Sequence, residues 1–138
     1  MDEMSSLPRG QEARALILAA EWLGVATLDS LEALRSFRRW SDLLSAGSHH
    51  MGEATIFTLC ELRSGMAVVD DRKARNIGRR EGIAVTGTLG LLGEACDAGR
   101  LSWPGAGGML DALRATGARF PCSGSDFRDW YAAQSLMA

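Results

Sequence analysis

His50-Met51-Gly52-Glu53-Ala54-Thr55-Ile56-Phe57-Thr58-Leu59-Cys60-Glu61, then Met66-Ala67-Val68-Val69-Asp70-Asp71-Arg72-Lys73-Ala74-Arg75, then Val85-Thr86-Gly87-Thr88-Leu89-Gly90-Leu91-Leu92, form the most strongly patterned part of the chain. Glu53 opens an apolar-periodic helix in which Ile56, Phe57 and Cys60 follow at i+3, i+4 and i+7, so the carboxylate belongs to one end of the buried face. Met66 to Val69 is continuously apolar with two β-branched residues and reads as a strand covered on both faces, as in a parallel sheet. Asp70 and Asp71 fall at its C-terminal end. Ligands bind at that end in open parallel α/β sheets, so one helix start and one strand end deliver two or three carboxylates to one crevice.

Working outward, Asp71 leads into a basic helix over about 72–80, Gly82 ends it, and Ile83 to Thr86 reads as a second buried strand. Thr88 can cap the next helix, with Leu89, Leu92 and Cys96 on one face. Upstream, Ala13, Leu16, Ile17 and Ala20 place a helix over Gln11–Leu23, and Val25 to Leu28 is a short β-rich run. Asp29-Ser30, with Glu32 at capping-box distance from Asp29, offers an N-cap for a helix over Leu31–Leu44 whose face carries Leu34, Phe37, Trp40 and Leu44. Downstream, Trp103 to Gly108 reads as a turn-rich loop, Met109 to Thr116 as a helix, and Phe127, Trp130 and Tyr131 as the face of a last amphipathic helix. Strands separated by helices of this length predict an α/β fold with a parallel sheet and right-handed crossovers.

A chain of 138 residues, 46% hydrophobic and 23% charged, fits a single domain over residues 1–138 with a genuine core. The net charge of −2 supplies no global positive field, so any nucleic-acid binding must be local. Cys60, Cys96 and Cys122 are odd in number and far apart, which suits small buried hydrophobes in a reducing compartment; a cytoplasmic location is expected. The acidic start leads to no apolar h-region, and no run reaches the ~20 apolar residues of a membrane span.

Glu53, Asp70 and Asp71 are candidate ligands for Mg²⁺ or Mn²⁺, because hard cations take oxygen donors. The competing reading is capping: an acid in a first helical turn is favoured by the helix dipole, and Asp71 can simply start the next helix. Arg72, Arg75 and Arg79, at i, i+3 and i+7, are candidate phosphate contacts, against a solvated face paired with Asp71 or Glu81. His49 stands four residues before Glu53 but shares its spacing with no third ligand. Trp103, beside Pro104, is the one aromatic set in a loop where a base could stack. No nucleophile elbow is present, and Gly87-Thr88-Leu89-Gly90 lacks the Lys-Ser/Thr ending of a P-loop.

Gly52-Glu53-Ala54, the apolar strand ending in Asp70-Asp71-Arg72, Arg75 beyond it, and Val85-Thr86-Gly87-Thr88-Leu89-Gly90 with Leu92, in that order and spacing, resemble the C-terminal half of PIN-like domains, in the branch of predicted nucleic-acid-binding proteins and toxin-type ribonucleases. The resemblance is specific over about residues 50–100, with 101–138 as a C-terminal helical extension. It implies a three-layer α/β/α sandwich whose acids bind Mg²⁺ or Mn²⁺ and cleave single-stranded RNA through metal-activated water. Glu53 matches the acid of the Gly-Glu-Ala motif, Asp70 or Asp71 the acid at the strand end, and Glu3 is matched to an acid of the early helical region. PIN-like domains also begin with a strand ending in a metal-binding Asp, and nothing before Glu3 supplies it.

The expected function is therefore a PIN-like, metal-dependent ribonuclease domain, with the toxin of a toxin–antitoxin pair and a form inactivated by loss of the first strand both left open. The alternative is a non-catalytic protein-interaction or nucleic-acid-binding remnant. Partners that follow are single-stranded RNA, an antitoxin-like protein at an open sheet edge, and a second copy of the chain.

Overall fold

Apolar side chains on one stripe of a helix or one face of a strand must find a covering layer, and this chain does so around a very small sheet. The structure, a computed structural model, describes residues 8–44 and 50–136. In chain order the elements are α1 (Pro8–Ala19), α2 (Leu31–Leu43), α3 (Met51–Arg63), β1 (Met66–Val68), α4 (Arg72–Arg80), β2 (Ala84–Thr86), α5 (Thr88–Asp97), α6 (Trp103–Ala115) and α7 (Phe127–Ser135). β1 and β2 are parallel, with Met66 opposite Ala84, Ala67 opposite Val85 and Val68 opposite Thr86, and α4 is the crossover between them. The ladder continues one step to Val69, whose N–H donates to the Thr86 carbonyl at 2.9 Å. The architecture is thus α/β, helices around a short two-stranded parallel sheet, as expected.

Two apolar clusters hold it. Trp40 and Leu44 of the α2 end, Ala54 and Phe57 of α3, Ala67 and Val69 of the first strand region, and Ala74 and Ile77 of α4 form one, with the Trp40 and Phe57 rings 4.9 Å apart. Leu89 and Cys96 of α5, Ala106 and Leu110 of α6, and Phe127 of α7 form the other. Each fully buried large side chain stabilises by about 1.5–3 kcal/mol.

Several local expectations are corrected. Met66 and Val68 are exposed while Ala67 is buried, so β1 is covered on one face and not on both. Val25 to Leu28 forms no strand: residues 23–29 are irregular, and without a neighbour to hydrogen-bond, a β-rich run has no ladder to join. No strand precedes β1 among the described residues. Of the pair Asp29-Ser30 it is Ser30 that caps α2, its Oγ accepting from the Ala33 N–H at 3.1 Å. Trp103 to Gly108 is the first part of α6. Ser102 caps it by accepting from the Gly105 N–H, and Pro104 sits in the first turn, where its missing N–H costs nothing. Trp103 consequently packs against Phe127 and Tyr131, with ring centroids 5.7 and 5.6 Å away, and belongs to the second cluster instead of offering a free face to a base.

Candidate functional site at the strand ends

The C-terminal ends of β1 and β2 are tied together by Asp70. Its Oδ1 accepts from the Thr88 N–H at 2.8 Å and its Oδ2 from the Thr88 hydroxyl at 2.6 Å. Thr88 is the first residue of α5, so a carboxylate from one strand end caps the helix that follows the other. This is where the helix carries its unsatisfied N–H groups and partial positive charge, a place that favours an anion. Arg75 closes the same strand end from α4: its Nη1 donates to the carbonyls of Val69 at 3.1 Å and Asp70 at 2.7 Å. Gly87 fits between them because it has no side chain; a Cβ there would stand 3.0 Å from both Arg75 Nη1 and Asp70 Oδ1.

Asp71 has a different duty. Its Oδ1 accepts from the Ala74 N–H at 2.7 Å, so it is the N-cap of α4. Asp70 is the acid that points across the strand ends. Glu53 lies in the first turn of α3, half-buried, with its Oε2 4.0 Å from Nδ1 of His50. That separation is beyond hydrogen-bond reach, and the buried His50 Nδ1 has no hydrogen-bond partner among the described residues. Glu3 and His49 lie outside the described residues.

The arginines divide by face. Arg75 and Arg79, four residues apart, turn toward the sheet; Arg79 Nη2 reaches the Val85 carbonyl at 3.4 Å. Arg72 forms no ion pair or hydrogen bond with described residues and stays open to an anion. Each guanidinium has five N–H donors, so Arg75 keeps donors beyond the two it commits. Thr88 and Gly87 are the residues that sequence reasoning left out of the site. Thr88 was visible only as a helix cap, since its pairing with Asp70 needs the two strands to be neighbours.

Carboxylates are the oxygen donors that Mg²⁺ or Mn²⁺ prefers. Among the described residues, however, no three His, Cys, Asp or Glu side chains come together where an ion could be held. Asp70 and Asp71 are each engaged by N–H or O–H donors, and the described acids do not by themselves fit a metal centre. What they form is a fixed, capped strand end with cations beside it. No helix among the described residues is long and apolar enough to cross a membrane.

A family model described as PIN domain matches residues 2–123. No curated protein and no solved structure matches the chain.

Proposed function

The chain belongs to the PIN-domain family, whose members are in general nucleases, and on that premise we propose that it is a single ribonuclease-type domain engaging single-stranded RNA at the strand ends. The observation that supports this most is the position of Asp70, fixed by Thr88 at the C-terminal end of a parallel strand with Arg72, Arg75 and Arg79 on the adjoining helix. Such a crevice is where an open α/β sheet binds its ligand, and guanidinium groups supply the charge-assisted hydrogen bonds that phosphates take. In this reading Arg72, Arg75 and Arg79 contact phosphates, and Glu53, Asp70 and Asp71, with Glu3, are the acids of the site. The family brings Mg²⁺ or Mn²⁺ to these acids. Because the described acids do not close around an ion, no catalytic step is assigned through one, and dependence on the cation is left to the test. A toxin role in a toxin–antitoxin pair belongs to the same reading.

A second reading has its own observation. Both oxygens of Asp70 are satisfied by Thr88 and Asp71 is an N-cap, which is what a structural acid pair looks like. The chain is then a non-catalytic binding domain. Its sheet has two strands and so two unpaired edges among the described residues, and Leu16, Leu18 and Trp22 are exposed, surfaces suited to an antitoxin-like strand or helix or to a second copy.

Cleavage of end-labelled single-stranded RNA in Mn²⁺ separates them. The nuclease reading expects cutting by the native chain and loss of cutting in Asp70→Asn with RNA affinity retained. No cutting by the native chain under any divalent cation gives the lead to the binding domain.

A further inference from the structure

Helix α4 has a second basic face, which shares only Asp71 and Arg72 with the strand-end site. Residues 72, 73, 76, 77 and 80 stand at i, i+1, i+4, i+5 and i+8, one side of the helix, while Arg75 and Arg79 are held against the sheet. With Leu43 at the end of α2, this side lines a groove of about 850 Å³ whose walls are Asp71, Arg72, Lys73, Asn76 and Arg80 and whose floor is Leu43 and Ile77. The side chains of Arg72, Lys73 and Asn76 form no hydrogen bond or ion pair with described residues. Arg80 is well exposed, with Nε 3.7 Å from the Glu81 carboxylate, and the one acid in the wall, Asp71, already accepts from the Ala74 N–H. In a chain of net charge −2 this is a local excess of cations, Arg72, Lys73 and Arg80 against Asp71, around an apolar floor.

The geometry points to this groove as a docking site for an acidic peptide segment of a partner protein, with an aliphatic side chain on Leu43 and Ile77 and carboxylates on Arg72, Lys73 and Arg80. Charge complementarity selects the sign of the partner, and the apolar floor selects its class. Leu43 and Ile77 are aliphatic and no aromatic residue lines the groove, so its floor suits an aliphatic side chain of a peptide. An amphipathic segment that alternates aliphatic anchors with acids matches both the floor and the rim. The inference does not depend on whether the strand ends hydrolyse RNA.

The test uses the full chain and a fluorescein-labelled, helix-forming peptide of about 12 residues carrying Leu on one face and Glu on the other. Fluorescence anisotropy should show binding that weakens between about 50 mM and 500 mM salt. The double variant Lys73→Glu/Arg80→Glu, which alters only exposed positions outside the strand-end site, should weaken it by about tenfold or more. The same peptide with its Leu residues replaced by Ser should bind the native chain as weakly as the variant binds the original. Thermal melting of the variant confirms its fold. Absence of binding, equal binding by native chain and variant, or indifference to the Leu-to-Ser change overturns the proposal; so does a variant that loses affinity for single-stranded RNA instead of for the peptide.

Discussion

Asp70 accepts both donors of Thr88, the main-chain N–H at 2.8 Å and the hydroxyl at 2.6 Å, and this one pair of residues locks the end of β1 to the start of α5. Removing the hydroxyl with Thr88→Val is expected to cost about 1 kcal/mol, and Thr88→Ser should recover most of it. Asp70→Ala, which leaves a helix N-terminus uncapped, is expected to cost about 1–2 kcal/mol. Urea unfolding measures both; unchanged midpoints would show that the pair carries no stability.

Two glycines should differ in their tolerance of alanine. At Gly87 the added methyl meets the ends of two side chains, Arg75 and Asp70, at 3.0 Å, which can shift at a cost of about 1 kcal/mol. At Gly107 it meets the main-chain carbonyl oxygen of Gly124 at 2.5 Å, which cannot move without displacing the segment before α7. Gly107→Ala is therefore expected to destabilise by about 3 kcal/mol, and thermal melts of the two variants should rank in that order.

Glu61 joins α2 to α3. Burial pushes its carboxyl up, but hydrogen bonds from Ser36 and Trp40 and the charge and hydrogen bond of Arg39 outweigh it and hold the group below the ordinary glutamate value of 4.5. Trp40, fully buried, donates its Nε1–H to Glu61 Oε2 at 3.1 Å, and Arg39 stacks over the Trp40 ring at 4.7 Å. A lowered folded value means that the stabilisation is complete above pH 4.5 and is lost as pH falls through the folded value. Glu61→Gln should cost about 1 kcal/mol at neutral pH, and the gap to the native chain should close in acid. A gap independent of pH contradicts the assignment.

Cys96 is 8% exposed in the second apolar cluster, and burial first, then the Asp97 charge, pushes its thiol up. Its alkylation at pH 8 is expected to be at least about tenfold slower than that of a free thiol and to reach the free rate in denaturant, because the thiolate is the reactive form. Mass spectrometry of timed aliquots gives the rate; fast labelling in the folded chain would place Cys96 outside the core.

The parts of the fold that were legible in the sequence are those set by local periodicity and punctuation. Arg72 to Arg80 and Met66 to Val68 came out within a residue or two because Asp71, Gly65 and Gly82 mark their ends. Val25 to Leu28 misled because a strand is made by its neighbour, which no local pattern reveals. The turn reading of Trp103 to Gly108 failed because Ser102 and Pro104 form a good helix start, and one of its glycines, Gly107, is there for close packing against Gly124. At the site, Asp70 and Asp71 could be named from the strand end but not told apart. Their division of labour depends on Thr88, eighteen residues away from Asp70 in sequence, and on the Ala74 N–H.

The most direct test of the central claim is amide chemical-shift mapping of the isotope-labelled chain during titration with a short single-stranded RNA. The account predicts the largest shifts at Asp70, Asp71, Arg72, Arg75, Gly87 and Thr88, the residues that meet at the ends of the two strands. Shifts confined to other surfaces, or none at RNA concentrations up to the roughly 10⁻⁴ M at which even non-specific binding is seen, would contradict it.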